Sequence, residues 1–141
     1  MADILIVDDE PDILMVLTEI LNEGNNRKII TASNGEEAYK IITDYTPEVA
    51  WVDYQMPKLD GLTLYLRLKS EGIALPTSSL LMTATNFSDS LKLKREIYQL
   101  GFKGIITKPF ELRTITTITT ELLSNAGKSP TLDTYLSQSR F

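Results

Sequence analysis

Five side chains in this 141-residue sequence have the types and the spacing to act together: Asp8, Asp9, Asp53, Thr83 and Lys108. Each stands at or just past the end of a short apolar run. Taken singly, a strand-end aspartate is an ordinary cap and a strand-end threonine ordinary packing. Gathered along one edge, they form a pocket of three carboxylates, a hydroxyl and an ammonium. Carboxylates ~4 Å apart repel by roughly 4 kcal/mol at moderate dielectric. Such a pocket raises a carboxyl pKa or recruits a cation. Oxygen-only ligands with open positions suit Mg2+ (or Mn2+), which keeps several waters and accepts a phosphate oxygen. A carboxylate beside such an ion can attack a phosphoryl group, because the metal neutralises charge on the incoming oxygens. Thr83 could then donate a hydrogen bond to one phosphoryl oxygen, and Lys108 could pair with another. The product would be an aspartyl phosphate on Asp53.

The elements that must position these groups are legible in the same runs. The central stretch is Trp51-Val52-Asp53-Tyr54-Gln55-Met56-Pro57-Lys58-Leu59-Asp60-Gly61. Val49-Ala50-Trp51-Val52 reads as a buried strand that delivers Asp53 at its tip. Met56-Pro57 forces a turn, and Leu62, Leu64 and Leu66 open a helix near 59–71 that Gly72 closes. Ahead of this unit, Ile4-Leu5-Ile6-Val7 reads as a strand running into Asp8-Asp9-Glu10-Pro11. Proline suits the first helical position. Ile13, Leu14, Leu17, Ile20 and Leu21 then form one apolar helical face, ended by Gly24-Asn25-Asn26. Lys28–Ala32 is a second strand. Asn34 is the expected N-cap of the next helix, with Glu37 as capping-box partner and Ala38, Ile41, Ile42 and Tyr45 as its buried stripe. Ser79–Ala84 is a fourth strand, with a polar break over Asn86–Asp89 behind it. A helix over Leu91–Leu100 follows, then a strand over Gly104–Thr107 stopped by Lys108-Pro109, and a last helix over Glu111–Ser124. The threonine-rich interior of that helix has low helix propensity, so burial must hold it.

Strands alternating with helices through short connections imply an α/β domain: one parallel sheet with helices on both faces. Residues 1–124 form the expected domain. Residues 125–141 are polar and turn-rich and read as a tail or the start of a linker, with Leu132, Tyr135, Leu136 and Phe141 as candidates for docking. The chain is read either as a complete single-domain protein or as one domain cut from a longer one. A net charge of −5 gives no basic footprint, so no direct nucleic-acid partner is expected. No cysteine and no histidine occur, which excludes disulfides, thiolate sites, Ser-His and Cys-His catalysis and most zinc sites. The first residues lack a basic n-region, so no signal peptide is expected. No apolar run reaches about eighteen residues, so no membrane span is expected. A cytoplasmic location fits these features.

The motifs together resemble the receiver domain of two-component response regulators, of the chemotaxis-regulator type. They are the acidic pair before Glu10-Pro11, Asp53 with Met56-Pro57 and Asp60-Gly61, Thr83-Ala84, and Lys108-Pro109-Phe110. The resemblance covers residues 3 to 124 and implies a flavodoxin-like three-layer (βα)5 fold with strand order 2-1-3-4-5. By position it makes Asp53 the phosphoacceptor. It gives Mg2+ to Asp9, Asp53 and the backbone carbonyl of Gln55, with Asp8 acting through metal-bound water. Thr83 and Ala84 become the switch and phosphate-binding positions, Lys108 the phosphate-sensing cation, and Lys108-Pro109 a cis peptide. The implied partners are a sensor histidine kinase or phosphotransfer protein and a downstream output domain or protein. A homodimer through the fourth helix, fifth strand and fifth helix is a further implied mode.

The sequence departs from the family in three places. The position three residues before the lysine, usually aromatic, is Ile105, so the aromatic switch is absent or displaced to Phe102. The segment from Thr83 to Gly101 is longer than the resemblance implies, the extra length falling in Thr85–Ser90 or the helix behind it. Gln55 and Thr85 occupy positions that resemble the family's tuners of phosphate lifetime. The leading expectation is a phosphorylation-dependent switch, not an enzyme acting on outside substrates. The alternative is a docking module that works without phosphate. A phosphatase with an aspartyl nucleophile is disfavoured, because the position where a general acid would stand is Gln55.

Overall fold

The computed structural model describes residues 2–22, 27–84 and 90–124. The element order is β1 (Ala2–Val7), α1 (Pro11–Leu21), β2 (Arg27–Ala32), α2 (Gly35–Asp44), β3 (Val49–Asp53), α3 (Gly61–Ser70), β4 (Ser78–Thr83), α4 (Leu91–Gln99), β5 (Phe102–Thr107) and α5 (Leu112–Ser124). The strands form one five-stranded sheet in the order β2-β1-β3-β4-β5, and every pairing is parallel. This is the flavodoxin-like (βα)5 architecture. All residues of β3 and β4 are buried, as strands covered on both faces must be.

Alternate residues of each strand serve opposite layers. On one face Leu5, Val7, Ala50, Val52 and Leu81 pack against Ala38, Ile42, Leu64, Leu68 and Ile97, from α2, α3 and α4. On the other, Ile4, Ile6, Val49, Trp51, Leu80 and Met82 pack against Leu17, Leu21, Ile115, Ile118 and Leu122, from α1 and α5. Burial of Thr114, Ile115, Ile118, Thr119 and Leu122 along one stripe of α5 supplies what its threonines lack in helix propensity, while Leu112, expected in that stripe, is exposed at the helix start. Thr119 in that stripe takes a hydrogen bond from the Trp51 indole at 2.9 Å and donates its own to the Ile115 carbonyl at 2.7 Å.

Several expectations need correction. Tyr45 is exposed, not part of the α2 stripe. The helix ends at Asp44, Tyr45 is already extended, and its ring lies under the Lys28 ammonium, 5.4 Å away. Leu66 is exposed at 58%. The stripe of α3 is Gly61, Leu64, Tyr65 and Leu68, the i, i+3, i+4, i+7 set, and the period-two leucine spacing falls out of phase with it. Glu37 bonds the Ser33 hydroxyl and, at 3.3 Å, the Asn34 amide group, while Asn34 caps the Glu37 N–H at 2.9 Å. β5 begins two residues earlier than expected. A bulge at Lys103, which has no partner opposite Ser79–Leu80, turns Phe102 and Ile105 to the same face. The stop at Gly24-Asn25-Asn26, the break over Asn86–Asp89, Thr85 and the tail 125–141 lie outside the described residues.

Candidate functional site

The strand order reverses between β1 and β3, since β1 pairs with both β2 and β3. Crevices in open parallel sheets lie beyond the carboxyl ends of the strands at such a point. Asp8 follows β1 and Asp53 closes β3, so both carboxylates arrive there. Asp8 is fully buried. Its N–H donates to the Ala32 carbonyl at 3.1 Å, and its Oδ1 accepts the Glu10 N–H at 2.9 Å. Asp53 is 4% exposed.

The loop behind Asp53 is held by three devices. The Leu59 N–H bonds the Pro57 carbonyl at 2.8 Å around Lys58, which has φ 72°. This is a tight γ-turn in a conformation rare for a side chain larger than glycine. Asp60 caps α3 through the Thr63 N–H at 2.8 Å. Gly61 lets the helix start lie directly on the strand end: a Cβ there would stand 2.6 Å from the Asp53 carbonyl oxygen. Gln55 in this loop is exposed.

Thr83 closes β4 and is buried. Its carbonyl accepts the Lys108 N–H at 2.7 Å. Ala84 behind it is exposed. The Lys108-Pro109 peptide is cis. The Lys108 ammonium stands 2.8 Å from Asp8 Oδ2, 3.3 Å from Asp53 Oδ2 and 3.6 Å from Glu10 Oε1. The sheet thus gathers Asp8, Asp53, Thr83 and Lys108 at one edge. Ile105 packs in the core under α4. Phe102 is buried at the far end of β5, stacked on Tyr65 with ring centroids 4.2 Å apart.

One ammonium faces several acids. Burial, and after it the nearby Asp8 charge, push the Asp53 carboxyl up to about 6, against the opposing pull of Lys108. Burial works against the Lys108 ammonium, but its bonds to Asp8 and Asp53 outweigh that and raise its pKa. Among the described residues, Asp8, Asp9 and Glu10 each offer an oxygen within 4.8 Å of the others. This all-oxygen, net-negative donor set fits a hard divalent cation. Glu10 was not singled out from the sequence. Its only signal was its place between the acidic pair and Pro11, where it reads as the residue before a helix.

The chain matches the response regulator receiver domain over residues 4–120. It is similar to protein-glutamate methylesterase/protein-glutamine glutaminase 3 of Hahella chejuensis, at 36% identity over 76% of this chain and 30% of that protein. It is also similar to the alkaline phosphatase synthesis transcriptional regulatory protein PhoP of Bacillus subtilis, at 35% identity over 79% of this chain and 44% of the relative. The chain therefore spans less than half the length of these two relatives. Among solved structures, a Francisella response regulator receiver domain superposes with a TM-score of 0.74 at 26% identity, over 88% of this chain and 98% of that one.

Proposed function

Because the chain belongs to the response regulator receiver domain family of two-component signalling, we propose that it is a phosphorylation-dependent switch with Asp53 as phosphoacceptor. The observation that carries this reading is the Lys108 ammonium between two buried carboxylates, with Thr83 at the adjoining strand end. Asp8, Asp9 and Asp53, with the Gln55 carbonyl, would hold Mg2+, and bound there it would neutralise charge on an incoming phosphoryl group. An Asp53 carboxylate oxygen attacks the phosphorus of a phosphohistidine. The new O–P bond forms as the P–N bond breaks, and the imidazole leaves with the bonding pair. Lys108 then pairs with one phosphoryl oxygen, and the Thr83 hydroxyl donates to another. Each contact draws its strand end and the loop behind it toward Asp53. That biases the equilibrium between two arrangements of α4, β5 and α5.

On this reading residues 1–124 are the receiver and 125–141 a tail or linker start. A sensor histidine kinase or phosphotransfer protein supplies the phosphoryl group. An output domain or partner reads the switched face, which could also pair two copies, and the protein works in the cytoplasm. No described helix is long and apolar enough to cross a membrane. Incubation with a phosphohistidine donor and Mg2+ tests the assignment: the protein should gain one phosphoryl group, labile to hydroxylamine as an acyl phosphate is. A hydroxylamine-stable product would place it elsewhere. The core packing of Ile105, where an aromatic switch would stand, favours the phosphate-independent docking module as second reading. Indifference of the protein to millimolar Mg2+ would select it.

A further inference from the structure

Lys108 faces a third carboxylate besides Asp8 and Asp53, Glu10, at the exposed rim of the acidic cluster. Glu10 stands 3.6 Å from the ammonium, with 62% of its side chain exposed, against 6% for Asp53 and 0% for Asp8. It occupies the N-cap of α1, where first-turn N–H groups need acceptors, yet its side chain makes no capping bond. The carboxylate reaches Lys108 instead, while the Glu10 N–H is tied to Asp8 Oδ1 at 2.9 Å.

We propose that Glu10 is the exchangeable counter-ion of Lys108. In the unphosphorylated protein it draws the ammonium toward the mouth of the pocket, and a phosphoryl oxygen on Asp53 has to displace it. The proposal rests on the phosphoacceptor reading above. Asp8 and Asp53 cannot fill this role, because both are buried and neither can turn out to water. Glu10 can be re-solvated at little cost, so it competes with the phosphoryl group for Lys108 and weakens the activated state. It is a positioning residue that acts through Lys108. An exposed pair of this kind changes an equilibrium constant by about two- to fivefold, and salt screens it.

Calorimetric titration of the full chain tests this, with Mg2+ alone and then with beryllofluoride, a phosphoryl mimic, in saturating Mg2+. Glu10→Gln keeps the size and removes the charge. It should bind beryllofluoride about two- to fivefold more tightly at low salt, and the advantage should vanish near 1 M salt, where the screening length is about 3 Å. Glu10→Asp, one methylene shorter, should behave like Glu10→Gln. Unchanged or weaker beryllofluoride binding in the variants would overturn the proposal, as would an advantage that survives high salt. A loss of Mg2+ affinity of about tenfold or more would also overturn it, by making Glu10 a metal ligand. If the wild-type chain binds beryllofluoride and the variants match it, the Glu10 proposal alone fails. If the wild-type chain binds none, the phosphoacceptor reading fails and takes this proposal with it.

Discussion

The Lys108 ammonium lies 2.8 Å from Asp8, a carboxylate with no exposed surface. The same cation is 3.3 Å from Asp53. Two buried acids from different strands therefore share one basic residue from a third, and the site is held together by charge as much as by the sheet.

Removing that cation should be costly. Lys108→Ala leaves Asp8 buried without its ion-pair partner, and breaking such a pair typically costs about 3 kcal/mol or more. On the proposed reading, a divalent ion bound in the pocket would restore positive charge and stabilise the fold that binds it. Urea denaturation should show the variant well below wild type in chelator and closer to it in millimolar Mg2+. Equal deficits in both conditions would mean that the ammonium and the metal site are independent.

The Asp53 carboxyl has the opposite sign of effect. Its pKa is raised from 3.8 to about 6 in the folded protein. Its contribution to stability is therefore full below about pH 4 and is lost as pH rises through about 6. Above pH 6 the ionised Asp53 destabilises the metal-free fold by on the order of 2–3 kcal/mol. Asp53→Asn should thus stabilise the metal-free protein at pH 7.5 and give little advantage at pH 4. Paired denaturation curves in chelator at the two pH values check this, and an advantage of equal size at both would contradict it.

The close approach at Gly61 makes a steric prediction. A Cβ there would stand 2.6 Å from the Asp53 carbonyl and 3.1 Å from Val52 Cγ1. Gly61→Ala must push the start of α3 off the strand end, at a cost of roughly 1–3 kcal/mol for this kind of overpacking. Because the displaced backbone carries Asp53, Mg2+ affinity should fall as well. Thermal denaturation with a Mg2+ titration measures both. A stability loss with unchanged Mg2+ affinity would show that the clash is relieved away from Asp53.

Trp51 offers an optical check on the layer beneath the site. It is the only tryptophan, is fully buried, and donates to Thr119 at 2.9 Å. Thr119→Val keeps the shape and leaves the indole N–H unpaired, which should cost about 1–3 kcal/mol. Its emission should shift to shorter wavelength as the hydrogen bond is lost. An unshifted spectrum would mean that another acceptor takes the indole proton.

Much of this was legible in the sequence because the central strands are buried on both faces. Ile4–Val7 and Val49–Val52 are apolar without interruption, and a parallel sheet is what such runs build. Strand ends then fix where Asp8, Asp53 and Thr83 arrive. What was not legible depends on contacts between distant segments. Tyr45 and Leu66 have core-type side chains, and only the observed helix end and phase put them outside. The bulge at Lys103 lies beside Gly104, which reads in the sequence as the start of the strand and not as the mark of an irregularity within it, and it sets which residues of β5 share a face. The reach of Glu10 toward Lys108 joins residues far apart in the chain, across β1 and β5. Spacing along the chain carries no record of it.

The central claim is that the Asp53 carboxylate is the group that takes the phosphoryl unit. Intact-mass spectrometry of wild type and Asp53→Asn, after identical incubation with a small-molecule phosphodonor and Mg2+, tests it directly. The wild-type chain should gain one phosphoryl group and the variant none. A phosphorylated Asp53→Asn chain would contradict the account.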